Sequence, residues 1–276
     1  MGTLSTYFAE RFPLVLVAPL SLATASLILG LFDNQSVPVL GLMTLTFLCF
    51  MLRMRVTDEF KDSAHDNQNY PNRPVQRGLI SKSQLLGLGV TASFIELLCV
   101  VGLAFLVDNL LGSIWYGLIV LYSLLTRFEF FAKEFLAKHF NIYLITHQAI
   151  FLLYPIWLNN LFKVSFDQKL LFGWSSFVLL MALMEIVRKY ELRFDAVGNL
   201  VLDTYLAVWK HKTIWVIVAL VALSSTLLYL SRGQPIIAIV GILVVITLIA
   251  FRNANETVRL VAALFFILES ALCLIL

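Results

Sequence analysis

A chain of 276 residues that is 60% hydrophobic and only 13% charged, with a mean hydropathy of +0.89, does not have the composition of a soluble domain. It has that of a polytopic membrane protein, whose surroundings are a lipid bilayer and not a nucleic acid. The net charge of +3 says little by itself, so the placement of the charges carries the information.

Nine apolar segments are predicted along the chain, at 13–32, 36–54, 83–106, 112–126, 141–161, 169–188, 212–231, 235–251 and 256–276. Most hold about 20 residues, enough helix to cross a hydrocarbon core of roughly 30 Å. The fourth and eighth are shorter. The first is followed by Phe32, Asp33, Asn34 and Gln35 in place of a small-residue cleavage site, so it is expected to stay as a span. Pro13, Pro19 and Pro155 fall in or near spans, which membrane helices tolerate. Cys49, Cys99 and Cys273 lie in apolar runs without metal or redox spacing and read as small lipid- or core-facing residues. Without a repeat or a low-complexity linker, residues 1–276 are expected to form a single membrane-embedded domain.

With the N-terminus placed in the cytoplasm, 17 of the 20 Lys and Arg residues fall on the cytoplasmic side. Lys163, Lys169 and Arg232 fall on the other. The positive-inside rule selects this orientation, a multi-pass topology of the kind found in a bacterial inner membrane. The two long polar connections, 55–82 and 188–212, are then both cytoplasmic.

The first connection follows the second span. Acids at a span end are costly and read as functional by default. Asp58, Asp62 and Asp66 recur every four residues, and each such step turns a helix by only about 40°, so the three share a face. Their mutual repulsion is reversed by a divalent cation, and magnesium takes hard oxygen ligands of this kind. Glu59 lies beside that face. Asn72, Arg73 and Arg77 follow, and the arginines suit forked contacts to phosphate oxygens. Pro71, Pro74 and Gly78 break the helix and let the chain fold back over the site.

This stretch resembles the UbiA superfamily of intramembrane prenyltransferases, which carries NDxxDxxxD at the end of its second span and then RPxxxG. Asp58 stands for the usual Asn and Glu59 for the usual Asp, followed by Asp62 and Asp66; Arg73-Pro74 and Gly78 match the second element. Arg11-Phe12-Pro13 is similar to the start of the family's first span, and Leu121-Tyr122-Ser123 with Arg127 to the end of its fourth. The family's second acidic motif, KDxxDxxxD, is altered: Arg188 stands for its lysine and Lys189 for its first aspartate. Asp203-Thr204-Tyr205 resembles the lead into its seventh span. Either Glu185, Glu191 or Asp195 supplies a ligand there, or the second metal is absent and Arg188 and Lys189 neutralise diphosphate directly.

The resemblance implies an all-α bundle of about nine transmembrane helices around a central cavity. It implies a magnesium-dependent enzyme that moves a prenyl group from a polyprenyl diphosphate to a lipophilic or aromatic acceptor. Asp58, Glu59, Asp62 and Asp66 are the implied magnesium ligands. Asn72, Arg73, Arg77, Arg188 and Lys189 are the implied diphosphate contacts, with Asp62, Asp66 and Arg73 catalytic. A terpene cyclase on the same scaffold is one rival. The other, of a different class, is a divalent-cation transporter or non-catalytic membrane protein, supported only by the intramembrane acids Glu96 and Glu269. Those two, and His147 in the fifth span, are expected to be structural; His65 is expected to flank the acids. Residues 127–140 alternate charge with Phe128, Phe131 and Phe135 and are expected to form one interfacial amphipathic helix.

Overall fold

The computed structural model describes residues 3–276 and is helical almost throughout. Among them, eight helices are long and apolar enough to cross a membrane, and a ninth, Pro235–Ala250, is shorter at 16 residues. The chain is thus an all-α multi-pass integral membrane protein, close to the expected nine spans. It divides into two compact units, residues 3–25 with 36–164, and residues 26–35 with 165–276.

The first unit opens with α1 (Thr3–Arg11) and most of α2 (Leu14–Leu31). The helix α3 (Val37–Lys61) starts with a proline in its first turn, where the missing N–H costs nothing, and runs past the expected span end at 54. After the short α4 (Ser63–Asn69), α5 (Lys82–Leu106) begins on a reciprocal capping box between Ser81 and Gln84. Buried Leu85, Gly89, Ala92, Glu96, Cys99 and Leu103 recur at alternating steps of four and three, the seam pattern of close antiparallel packing. That seam meets α3, where Val39, Met43, Thr46 and Phe50 keep the same spacing. Gly89 belongs there because an added Cβ would stand 2.9 Å from Val56 Cγ1.

A 3-10 turn at Leu110–Trp115 leads into α6 (Tyr116–Arg127). The expected single helix over 127–140 is broken. Glu129, Phe130 and Phe131 adopt left-handed backbone, and only α7 (Lys133–Lys138) is α-helical. Phe128, Phe131 and Phe135 are exposed. Next come α8 (Phe140–Gln148) and α9 (Leu153–Phe162), joined by a 3-10 turn into one apolar stretch. Phe47 stacks on Tyr154 at 5.1 Å, and Tyr116 meets Trp157 edge-on at 4.6 Å, filling the unit's core.

The second unit holds α10 (Gln168–Arg188), a small hairpin of β1 (Arg193–Phe194) and β2 (Leu200–Val201), α11 (Tyr205–Trp209), α12 (Lys212–Arg232), α13 (Pro235–Ala250) and α14 (Asn255–Ile275). The strands are antiparallel, with Phe194 opposite Leu200. Gly233, at φ 71°, ends α12 and Pro235 starts α13, so two residues reverse the chain. The last turns of α2 belong to this unit: Gly30 lies so close to α14 that a Cβ would be 2.3 Å from the Cys273 carbonyl oxygen. All three cysteines are free and buried, so of the lipid- and core-facing settings the structure gives them the second.

Candidate functional site

In the first unit, the end of α3, the start of α4 and the following loop gather around α1. Backbone N–H groups of Asp62, Asp66 and Tyr70 donate to the carbonyls of Asp58, Asp62 and Asp66, each at 2.8 Å. The i to i−4 ladder thus survives the junction between the two helices, and the three aspartates stay stacked along it. The loop then turns back through Arg77 N–H to Arg73 O at 2.9 Å and Leu79 N–H to Pro74 O at 2.9 Å, with Gly78 at φ 73°. Ile80 is buried with Tyr7, Val56 and Leu85, and Val75 packs against them; this apolar plug fastens the loop over the helix ends.

The four acids divide by partner. Glu59, only 2% exposed, accepts from Arg11 Nε at 2.7 Å and from Arg55 Nη2 at 2.7 Å. Asp66, 3% exposed, accepts from Arg73 Nη1 at 2.5 Å, with Arg11 Nη2 3.8 Å away and His65 Nδ1 at 3.5 Å. Arg73 also stacks over Tyr70 at 3.8 Å from the ring centroid. Asp58 instead pairs with Lys61 Nζ at 3.2 Å, and Lys61 donates to the Tyr143 hydroxyl at 2.9 Å. Asp62 caps α3 between the two sets. Asn72 is exposed, and Arg77 donates to Glu10 at 2.6 Å.

Burial works against ionisation of Asp66, but the His65 hydrogen bond and the guanidinium groups of Arg73 and Arg11 outweigh it and hold the carboxyl below its ordinary value. Burial, and then the Glu59 carboxylate, push the Tyr7 hydroxyl well above the usual tyrosine value, so it stays a proton donor at neutral pH. Among the described residues, Tyr7 OH, Arg55 Nε, Glu59 Oε2 and both side-chain polar atoms of Gln76 are buried without a hydrogen-bond partner. Such orphans are unusual inside a protein and mark a place where a ligand, ion or water completes the set.

Magnesium fits the donors by chemistry, since all four acids offer hard oxygens and Glu59 Oε2 has no partner. The side chains do not converge as they stand: among the described residues, no three His, Cys, Asp or Glu are grouped closely enough to hold a metal. Arg11, Arg55 and Arg73 hold the two buried acids.

The second connection is arranged differently. Glu185 accepts from Arg188 Nη2 at 2.8 Å and lies 3.2 Å from Lys189 Nζ. Glu191 pairs with Arg193 at 2.6 Å and with Arg259 at 3.4 Å. Asp195 is spent on its own turn: it accepts from the backbone N–H of Val197 at 2.9 Å and of Asn199 at 2.8 Å, and from Asn199 Nδ2 at 3.0 Å. Those bonds, the Asn199 side chain first, lower its carboxyl below the usual value. Each of the three sequence-predicted acids is thus committed to a cation or to the hairpin.

Sequence reasoning gave no role to Arg55, Lys61, Tyr7 or Tyr143, and none to Arg11 beyond its likeness to a span start. Arg55 was findable, one turn before Glu59. Arg11 is 48 residues from its partner and leaves no local signal. Glu96 is fully engaged: Arg53 Nε and Nη2 donate to its two oxygens at 2.8 Å each, and Tyr116 OH donates as well. His147 is held structurally, its ring stacked on Tyr143 at 3.9 Å.

No family model and no curated protein matches the chain. Solved structures do. The fold they share with this chain, helical almost throughout, extends over nearly its whole length. A UbiA homologue from Archaeoglobus fulgidus, bound to GPP and Mg2+, is 15% identical with a TM-score of 0.56, covering 98% of this chain and 100% of its own. A digeranylgeranylglyceryl phosphate synthase is 18% identical with a TM-score of 0.51, covering 98% of this chain and 99% of its own. The chain therefore carries the UbiA fold, the family its motif resembles.

Proposed function

We propose that the protein is a magnesium-dependent prenyltransferase, moving a prenyl group from a polyprenyl diphosphate to a lipophilic or aromatic acceptor. The observation that carries this reading is the buried cluster of Glu59 and Asp66 with Arg11, Arg55 and Arg73 at the end of a spanning helix. The fold supports it, because a neighbour of the same fold binds GPP and Mg2+.

Breaking an allylic carbon–oxygen bond leaves extra negative charge on the diphosphate, and catalysis requires that charge to be met as it develops. Arg73 and Arg77 offer guanidinium forks for it, and exposed Asn72 offers amide donors. When Arg73 passes from Asp66 to a phosphate oxygen, Asp66 is released as a carboxylate ligand. Asp58, Glu59, Asp62 and Asp66 are the acids that would hold magnesium, which when bound would stabilise the leaving diphosphate. Before that exchange, and against burial, the His65 hydrogen bond and the Arg73 and Arg11 guanidinium groups hold the Asp66 carboxyl below its ordinary value, so it is already a carboxylate. In the second unit, Arg188 and Lys189 offer two further cations to diphosphate. No acid there is released without breaking an ion pair or the hairpin turn.

Purified protein in lipid nanodiscs, given a panel of polyprenyl diphosphates and acceptors, should release diphosphate only with magnesium. Asp62→Ala should abolish that release and leave the protein folded. Full activity of the variant at limiting magnesium overturns the assignment. A cyclised hydrocarbon formed without acceptor marks a cyclase. Metal uptake into proteoliposomes without prenyl chemistry marks a transporter, a reading the pairing of Glu96 with Arg53 does not favour.

A further inference from the structure

Glu269 lies in α14, inside a membrane span and with no exposed surface. It plays no part in the site above. Its surroundings in the second unit contain little charge. The helices packed on α14 are α10, α12 and α13, and the last turns of α2, a helix without ionisable side chains, also reach it at Cys273. On α10 the ionisable groups are Lys169, Glu185 and Arg188; on α12 they are Lys212, Tyr229 and Arg232; α13 has none. All of these stand in the terminal turns. Arg232 is committed to Asp33 at 2.6 Å and Arg188 to Glu185. On α14 itself, Arg259 is bound to Glu256 and Glu191, and the Cys273 thiol is one turn beyond Glu269.

Among the described residues, the one polar partner of Glu269 is Ser225 of α12, with Oγ 3.0 Å from Oε1. The same Oγ is 2.8 Å from the carbonyl oxygen of Ile237 on α13. Gly241 makes this approach possible, since a Cβ there would stand 2.2 Å from Ser225 Oγ. A hydroxyl has one hydrogen to give, and a carbonyl oxygen gives none. The Ser225 hydrogen therefore goes to Ile237, the shorter contact. The contact with Glu269 is then a hydrogen bond only when the carboxyl donates. Glu269 Oε2 has no partner among the described residues, which suits a neutral acid and is costly for a carboxylate.

We infer that Glu269 is a proton-binding site within the membrane. The protonated carboxyl donates to Ser225, and Ser225 donates to Ile237, so a relay of neutral hydrogen bonds pins α14, α12 and α13 together. Membrane helices are held by such bonds where the hydrophobic effect gives no preference between lipid and a neighbouring helix.

Infrared difference spectra in nanodiscs at neutral pH test this. Wild type minus E269Q should show the carbonyl stretch of a protonated carboxylic acid, and S225A should move that band to higher frequency by removing its acceptor. The Gln side chain keeps the size and an N–H donor, so E269Q should unfold within a few degrees of the wild type. If E269Q does not fold, the S225A spectrum alone still carries the shifted band. Loss of carboxylate bands in E269Q, or a band unmoved in S225A, overturns the assignment.

Discussion

Arg11→Ala tests whether α1 is fastened to the acid cluster by charge. Arg11 meets Glu59 at 2.7 Å, and the Glu59 side chain has no exposed surface while that of Arg11 is 14% exposed. Removing one partner of a buried pair costs about 3–5 kcal/mol when the other charge is abandoned. Here it is not abandoned, since Arg55 stays on the same oxygen and Arg73 stays on Asp66. What disappears is one charge-assisted hydrogen bond, worth about 1.5–3 kcal/mol. The expected loss is about 2 kcal/mol, roughly 30-fold in the folded-to-unfolded ratio. Reversible unfolding in mixed micelles of rising SDS fraction reads it directly. Arg11→Ala combined with Glu59→Gln should be more stable than the sum of the single losses by at least about 1 kcal/mol. Additivity within about 0.5 kcal/mol would refute the coupling.

Three further outcomes are expected. The Asp66 carboxyl is lowered, so its contribution to stability is complete above the unfolded value of about 4 and is lost as pH falls through the lower folded value. Asp66→Asn should remove that part of the acid sensitivity, and an unchanged acid unfolding profile contradicts it. Glu96→Ala leaves Arg53 uncompensated inside a span and should cost about 3–5 kcal/mol, whereas replacing both by Met should recover most of the loss. Gly30→Ala should lower the unfolding midpoint because its Cβ meets backbone, while Gly41→Ala, with nothing within 4 Å, should leave it unchanged or raise it. Equal effects at the two glycines count against the packing described.

The sequence made the spans legible because a bilayer demands long apolar runs. It did not show where they end. The helix α3 continues to Lys61 because backbone hydrogen bonding does not stop where hydrophobicity does, and Arg53 is satisfied in place by Glu96 and Ser123. The four-residue spacing of Asp58, Asp62 and Asp66 survived as a backbone ladder, yet side-chain partners were set by distant residues such as Arg11. At 129–131, alternation of charge and aromatics carried no sign that three residues take left-handed backbone. The turn at Asp195 was written in Gly198, at φ 90°, and Asn199, a combination that favours reversal over ligation.

The first unit's site has a property that follows from its ion pairs taken together. Arg11, Arg55, Lys61, Arg73 and Arg77 stand among Glu10, Asp58, Glu59, Asp62 and Asp66, so the cluster is electroneutral. A neutral cluster at a membrane surface projects little field, and screening by salt has little to remove. Capture of a charged ligand there depends on exchange of partners at short range and not on attraction from afar. Its rate of association should therefore change little with ionic strength.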